Sequence, residues 1–412
     1  MTSTFAWLDY SARERRAMLE VVDLFREKGT VDELGLGVIR DAFADHFFPG
    51  TSTLHSRARY WLLIPWVYRR LEAERTPSAK ADERARRLQA DLVRALVTGG
   101  EGEGVIGIEA RDKVLRPPAV VYWAGLYRHG IRLVPGSIGR YHASLDGFYA
   151  SAGPRRSEGD DSELVDVGRR NWDAGLPGPP TDLFERADFR MRREDAEYLR
   201  ERMITSSPES FLAWGLRRPS RFAKVDAPWM HPDLAAAPNA LRVPVELARR
   251  FSLLMFGAVL AYNVLMAEAS AAAGLRDDSL VTEYRAAYAG WAAGRIVTEL
   301  DALRRWDRGE LWSFVERLAP GRISRTRRFV EQWIARVLDS PASAIDDPAM
   351  RTLIADRERV MKGSLARLHN HRALERWNGR SGVFELTYRW NEGRTIIRDV
   401  ADGLASTDVG SH

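Results

Sequence analysis

Residues 244–274 read PVELARRFSLLMFGAVLAYNVLMAEASAAAG and form one of the most apolar stretches of this 412-residue chain. Apolar residues recur in it at helical spacing, so the stretch predicts a long helix at the centre of a C-terminal core. Polar residues interrupt the apolar run before it reaches the ~18 residues that a membrane-spanning helix needs. The pattern therefore predicts a packed helical core without a membrane span.

Helical spacing also recurs on both sides of this stretch. The sequence predicts a mainly α, multi-helical fold with two or three packed helical subdomains and a few short strands. The predicted helices cover 7–28, 38–48, 53–75, 79–97, 117–130, 139–150, 183–204, 278–300, 310–318, 324–338 and 348–378, and residues 382–391 start as a strand that leads into a last helix. We predict an N-terminal helical domain over 1–150, a loop-rich segment with one helix over 151–243 and a C-terminal helical domain over 244–412.

The composition excludes several classes of chemistry. The chain has no cysteine, which rules out disulfides, thiolate catalysis and Cys-based metal centres. No HExxH spacing, GxSxG elbow or phosphate-binding P-loop occurs, and the glycines of 99–107 are not followed by Gly-Lys-Ser/Thr. We therefore expect no metal and no cofactor. The N-terminus lacks a basic region followed by an apolar core, so we expect a cytoplasmic protein.

The positive charge is carried almost wholly by arginine. Only five of the 62 Lys+Arg residues are lysines, the formal net charge is +5 and the sequence pI is about 9.5. Arginine suits bidentate contacts with phosphate and guanine, and such a pI is typical of nucleic-acid-binding domains. A GC-rich genome is the alternative explanation of the arginine excess, although not of the net charge. Double-stranded DNA is the partner that this balance favours.

The stretch 41–60 reads as a helix end, a turn and a second helix start. Pro49-Gly50 ends the first helix, and Thr51, Ser52 or Thr53 can cap the next one. The free N–H groups at such a helix start suit a phosphate. An ordinary capped corner between two helices would show the same residues.

Carboxylates and cations flank this corner. Asp41 and Asp45 are i,i+4 neighbours and share one helix face, while Arg57, Arg59 and Tyr60 follow the turn. Breaking a glycosidic bond needs a negative charge near an oxocarbenium-like transition state. Asp45, with Asp41 as second choice, is therefore the candidate catalytic residue, and the residues after the turn are candidates for phosphate contacts.

Three further segments combine aromatic and polar or basic residues. They contribute the other candidate DNA contacts, namely Arg111, Lys113, Arg116, Tyr122 and Trp123, then Asn171 and Trp172, and finally Arg389, Trp390 and Asn391. Aromatic rings stack on or wedge between bases, and arginines hold phosphates. Each segment also has a purely structural interpretation. The first would be a core helix preceded by basic residues, the second a solvated loop with one buried tryptophan, and the third a salt bridge at a helix start.

Several of these segments resemble a bacterial family of unknown-function domains found in phage-defence gene neighbourhoods. The resemblance spans essentially the whole chain and rests on residues 5–11, 38–45, 48–53, 57–60, 116–123 and 388–390. Through that family the chain resembles the DNA glycosylases that inhibit bacteriophage replication. The resemblance implies removal of α-glucosylated hydroxymethylcytosine from phage DNA, which leaves abasic sites. It assigns no catalytic residue.

Two functions follow as hypotheses. The first is a DNA glycosylase that flips a modified cytosine out of the duplex and hydrolyses its N-glycosidic bond. The second is a non-catalytic DNA-binding subunit of a multi-gene defence or restriction system. A nuclease is a weaker third hypothesis, because the sequence offers no evident carboxylate cluster for Mg²⁺.

Overall fold

The computed structural model describes residues 32–107, 117–151, 170–218 and 225–406. These ranges are mainly helical, which confirms the predicted fold class. The helices α1 to α15 are, in chain order, Gly37–Phe47, Tyr60–Ala73, Ala81–Thr98, Pro118–Arg128, Ile138–Ser151, Arg193–Ser206, Phe211–Leu216, Asn239–Ala272, Ser279–Trp291, Val297–Arg305, Arg308–Leu318, Ser324–Asp339, Pro348–Lys362, His371–Glu375 and Trp390–Ala405. The predicted helix over 7–28 lies outside the described residues.

These helices are grouped into two compact units. The first unit combines the described part of Met1–Phe43 with Pro238–Tyr388, and the second combines Ala44–Ala237 with Arg389–His412. Each unit is discontinuous in sequence, and α1 contributes residues to both. The predicted boundaries after residues 150 and 243 differ from these units, because a linear pattern of helices and loops does not show where a chain returns to an earlier unit.

The long helix α8 is the central helix of the first unit. It contains Pro244 in its second turn, where the proline removes one intrahelical N–H donor. By length and composition α8 could cross a membrane, yet 83% of its most apolar window is buried within the protein. Burial of this kind is what a soluble protein's core helix shows.

A glycine allows α8 to pack closely against α9. A Cβ atom built on Gly257 would lie 2.1–2.6 Å from three ring atoms of Trp291. The Trp291 ring is buried, and its Nε1 donates to the carbonyl of Leu253 at 2.9 Å. The ring therefore cannot move aside without losing a buried hydrogen bond.

We expect Gly257→Ala to lower the free energy of unfolding by about 1–3 kcal/mol, because the added methyl group overpacks this contact. Gly290 of α9 is the matched control, since a Cβ there would meet nothing within 4 Å. Gly290→Ala should be neutral or stabilise the helix by up to ~1 kcal/mol. Urea unfolding followed by circular dichroism measures both, and equal midpoints for the two variants would contradict the packing argument.

Helix α2 begins at Tyr60, not at residue 53 as predicted. The preceding N–H groups are bound by side chains from distant parts of the second unit. The Tyr122 hydroxyl accepts from the N–H groups of Ser56 (3.1 Å) and Arg57 (3.3 Å), and Asp399 accepts from that of Ala58 (2.9 Å). Tertiary hydrogen bonds therefore replace the first helical turns.

Three other predicted elements are wrong. The helix predicted over 348–378 ends at Lys362, because Gly363 has a φ of 56°. Residues 183–192 are not helical, and α6 starts only at Arg193. The strand predicted in 382–391 is not formed, since Gly382 (φ 59°) and Arg389 (φ 61°) both adopt positive φ angles.

Candidate functional site

Helix α1 ends close to the predicted position, but the hydroxyl groups of the following turn do not cap helix α2. Helix α1 ends at Phe47, and Gly50 adopts a φ of 75°. The Thr51 hydroxyl donates to the carbonyl of Phe48 at 2.6 Å, Ser52 accepts from a neighbouring N–H within the turn, and Thr53 is exposed. No side chain caps α2, so the prediction that one of these hydroxyls caps it is wrong.

Asp45 forms an ion pair with Arg389, which lies 344 residues further along the chain. The Asp45 side chain is 66% exposed, whereas that of Arg389 is only 14% exposed. Arg389 also donates to the carbonyl of Thr51 at 2.8 Å. The partly buried guanidinium is therefore held by two acceptors, while the carboxylate of Asp45 stays exposed to solvent.

Arg389 occupies a strained backbone position. Its φ of 61° and ψ of 28° lie in the left-handed region, which costs a non-glycine residue of the order of 1–3 kcal/mol. The following Trp390 is buried and donates through Nε1 to the carbonyl of Val225 at 2.6 Å. Asn391 is exposed and accepts from Arg394 at 3.4 Å. Strain of this kind is often found where a side chain must point in one direction.

Asp41 has a different partner from Asp45. Its carboxylate accepts from Nε of the adjacent Arg40 at 3.0 Å, and its side chain is 49% exposed. Both candidate carboxylates are thus accessible.

Arg57 and Tyr60 are engaged within the second unit. Arg57 donates to both oxygens of Asp399, at 2.9 and 3.2 Å, and its guanidinium lies 4.7 Å from the centre of the Phe189 ring. Tyr60 is fully buried, and its hydroxyl accepts from the N–H of Ile106 at 3.0 Å. A phosphate contact by Arg57 would have to replace the bidentate pair with Asp399.

The other aromatic candidates lie inside the second unit. Tyr122 and Trp123 of α4 are both buried, and Trp123 donates to the carbonyl of Gly136 at 3.0 Å. Asn171 and Trp172 are also buried and donate to one oxygen of Glu72, at 2.8 and 3.1 Å. None of these four side chains is placed to stack on a base in this structure. Arg111, Lys113 and Arg116 lie outside the described residues.

Two buried histidines lie behind the turn. The ring of His55 stacks on Tyr122 at 4.0 Å, and Nδ1 of His129 lies 2.8 Å from the Ser206 hydroxyl. Burial lowers the pKa of each histidine to about 3. Both are therefore neutral at pH 7, which suits the positive charges of Arg389 and Arg128 near them.

An arginine-lined cavity lies next to Arg59 in the second unit. We call it the arginine groove and define it by Arg59, Asp182, Arg186, Asp188, Arg190 and Arg192, with Pro180, Leu183, Ala187, Met191 and Ser406 completing the lining. Its volume is about 440 Å³, within the ~300–1,000 Å³ range of small-molecule sites. Four arginines face two aspartates, so the lining favours an anion.

Arg59 is the most buried of these arginines. It is 6% exposed, and its Nη1 donates to the carboxylate and the carbonyl of Asp188 at 2.5 and 2.8 Å. Its buried Nε has no hydrogen-bond partner among the described residues. Burial also lowers the pKa of Arg59 below its usual value, against the attraction of Asp188. One residue of the lining therefore keeps a buried donor that the described residues leave unsatisfied.

The sequence analysis identified Arg59 but missed the rest of the groove. Ala187, Phe189 and Met191 are buried, whereas Arg190 between them has a side chain 90% exposed. Alternation of apolar and polar residues is the signal of an extended segment, and 187–192 shows it. The sequence-based prediction instead assigned these residues to a helix over 183–204.

A second cluster of charged residues lies in the first unit. Glu358 is fully buried and accepts from Tyr262 (2.6 Å) and from the N–H groups of Arg367 (2.9 Å) and Leu368 (3.0 Å). Lys362 pairs with Glu33 and lies 3.5 Å from Glu358. The adjoining cavity measures only about 50 Å³. With its acceptors occupied and little free space beside it, this cluster is better suited to structure than to substrate binding.

The first unit also carries a wide surface depression. It measures about 580 Å³ and contains Arg276, Asp277, Glu283 and Arg380 in its lining. Positive and negative groups are equal in number there, so the lining does not favour a ligand of one charge.

Comparison with protein families gives a match over nearly the whole chain. Residues 2–404 match the profile of a family described only as a family of unknown function, DUF6361. No curated protein and no solved structure matches the chain.

Proposed function

Because the chain belongs to the DUF6361 family, whose function is unknown, we propose the function that its resemblance to the phage-defence glycosylases implies: a DNA glycosylase of anti-phage defence. The enzyme hydrolyses the N-glycosidic bond of a glucosylated hydroxymethylcytosine in phage DNA and leaves an abasic site. The observation that carries the proposal is the exposed carboxylate of Asp45, held by the partly buried guanidinium of Arg389. We further propose that the protein works in the cytoplasm, where phage DNA is replicated.

The chemistry requires a negative charge beside the deoxyribose. As the C1′–N bond breaks, the base leaves with the bonding electrons and positive charge develops on the sugar. Asp45 stabilises that charge and accepts a proton from the water that attacks C1′. Arg389 positions the carboxylate, since its donation to Thr51 fixes the direction of the ion pair. The proton that Asp45 takes from the water passes to the departing base, which regenerates the carboxylate. The step therefore breaks the C1′–N bond and one O–H bond of water, forms a C1′–O bond and a base N–H bond, and consumes only the nucleotide and one water.

Incubation of the protein with glucosylated hydroxymethylcytosine DNA tests the proposal. Alkali cleaves a strand at each abasic site, so we expect fragments from this DNA and none from unmodified DNA of the same sequence. Release of the free modified base, measured by mass spectrometry, must accompany the fragments. Strands that stay intact after alkali would overturn the proposal.

We expect Asp45→Asn to slow base release by about 100-fold or more, the usual cost of removing one group that stabilises transition-state charge. Asparagine keeps the shape of the side chain and can still accept from Arg389, so the fold should be retained, which circular dichroism checks. Asp41→Asn is the matched control, because Asp41 pairs with Arg40 instead. Loss of activity in the control, with full activity in Asp45→Asn, would reject Asp45 and select Asp41.

The second candidate is a non-catalytic DNA-binding subunit. The arginine groove favours this function, because a cavity lined with arginines can bind DNA phosphates without a catalytic carboxylate. Duplex binding by the wild-type protein, together with no base release from modified DNA, would support this function over the first.

A further inference from the structure

The donors of the arginine groove identify the kind of ligand that it suits. A guanidinium offers several N–H donors in one plane, which match the oxygens of a phosphate. The Arg186 side chain is exposed and has no partner among the described residues, and Arg190 is 90% exposed and contacts only Asp188 through its guanidinium. These two side chains can therefore turn toward a ligand at little cost. Pro180 and Leu183 supply an apolar wall for a group attached to the phosphate.

Arg59 carries a positive charge that solvent hydrates poorly. Its guanidinium is buried, and the pull of Asp188 does not fully compensate for the lost water, as the lowered pKa indicates. A buried donor without a partner costs about 1–3 kcal/mol, or more for a charged group. A second anion beside Arg59 would restore the balance of charge around this guanidinium.

We propose that the arginine groove binds the phosphodiester backbone of a DNA strand, with Arg59 as the fixed anchor and Arg186 and Arg190 as exposed clamps. The inference rests on the proposed function, because it takes DNA as the ligand. It concerns the binding of phosphates and not the breaking of the glycosidic bond. A groove of about 440 Å³ has room for a phosphate with its attached sugar.

The test compares two double variants of the full-length chain. Arg186→Ala/Arg190→Ala removes the clamps, and Arg86→Ala/Arg87→Ala removes two arginines whose side chains are 65% and 67% exposed on α3. Both lose the same charge. We expect the groove variant to bind a fluorescent DNA duplex about 10-fold more weakly or worse, with the control within about 2-fold of wild type. The slope of log K against log salt should fall by about 2 in the groove variant only.

A third variant tests whether removing a negative charge from the groove strengthens DNA binding. Asp182 lies in the groove and opposes phosphate, so Asp182→Asn should tighten DNA binding by about 2-fold to 5-fold. Weaker binding in this variant, or equal losses in the two double variants, would overturn the assignment of the groove. Thermal unfolding of each variant separates a change in binding from a change in folding.

The source of the phosphate is tested by competition. Inorganic phosphate and a mononucleotide, each titrated to 10 mM, should displace duplex DNA only partially if the site is built for a polymer backbone. Tight binding of inorganic phosphate by a protein that does not bind DNA would overturn the inference in favour of a free anion.

Binding and base release fail independently in this design. If the groove variant shows unchanged duplex affinity and unchanged base release, the DNA-binding role of the arginine groove is rejected and the proposed glycosylase activity is retained. If DNA binding depends on the groove but the wild-type protein releases no base, the proposed glycosylase activity is rejected and the DNA-binding role of the groove is retained.

Discussion

Replacing Glu358 by alanine is expected to lower the free energy of unfolding by about 3–5 kcal/mol, the usual effect of removing one partner of a buried ion pair. Glu358 is fully buried and accepts four hydrogen bonds, two of them from backbone N–H groups. Alanine leaves these donors without partners. It also leaves Lys362 with Glu33 as its remaining carboxylate, while burial and the charge of Arg367 already lower the pKa of Lys362 to about 7.

Urea unfolding at pH 7 measures the effect. Glu358→Gln should lose less than Glu358→Ala, because an amide oxygen can still accept from the backbone. Glu283→Ala is the control, since Glu283 is exposed on α9 and its loss should stay within about 0.5 kcal/mol. A loss below 1 kcal/mol in Glu358→Ala would mean that the cluster is not a structural element.

Acid is expected to destabilise the protein steeply, because two histidines are buried in the neutral form. In the unfolded chain His55 and His129 take up a proton as pH falls through about 6.5, whereas in the folded chain their pKa values are about 3. The unfolded state therefore binds more protons between these values. The stability is fully present above pH 6.5 and is lost as pH falls toward 3, by up to about 1.4 kcal/mol per pH unit for each histidine.

Chemical unfolding at pH 7.0, 6.0 and 5.0 checks this dependence. His55→Phe keeps a ring to stack on Tyr122 but cannot titrate, so it should remove the contribution of His55 to the pH slope and leave that of the other buried histidines. The exposed His371 provides the control, because His371→Gln should leave the slope unchanged. The same slope in His55→Phe and in wild type would show that His55 does not contribute.

The sequence predicted the elements whose signals are local. Helix α8 follows from its apolar run, α4 from Pro117-Pro118 at its entrance, and the end of α1 from Pro49-Gly50. The start of α2 was not predictable in this way. It depends on Tyr122 and Asp399, which bind the N–H groups of 56–58 from about 65 and 340 residues away along the chain.

The same distinction applies to the candidate site. Asp45 and Arg389 were both singled out from the sequence, but the ion pair between them joins residues 344 positions apart. Arg59 was predicted to hold a phosphate, yet its burial beside Asp188 depends on the fold of 182–192. Residue type indicated which side chains carry chemistry. Which of them are exposed, paired or unsatisfied was decided by long-range packing.

The return of the chain to the second unit at Arg389 affects how this protein forms during synthesis. Residues 44–237 leave the ribosome well before α15, which carries Asp399, the partner of Arg57, and Gly393, against which Phe48 packs. Translation of the intervening 238–388 takes about 8–30 s at 5–20 residues per second. During that time Phe48 and Arg57 lack their native partners, so this nascent segment is a natural client for a chaperone.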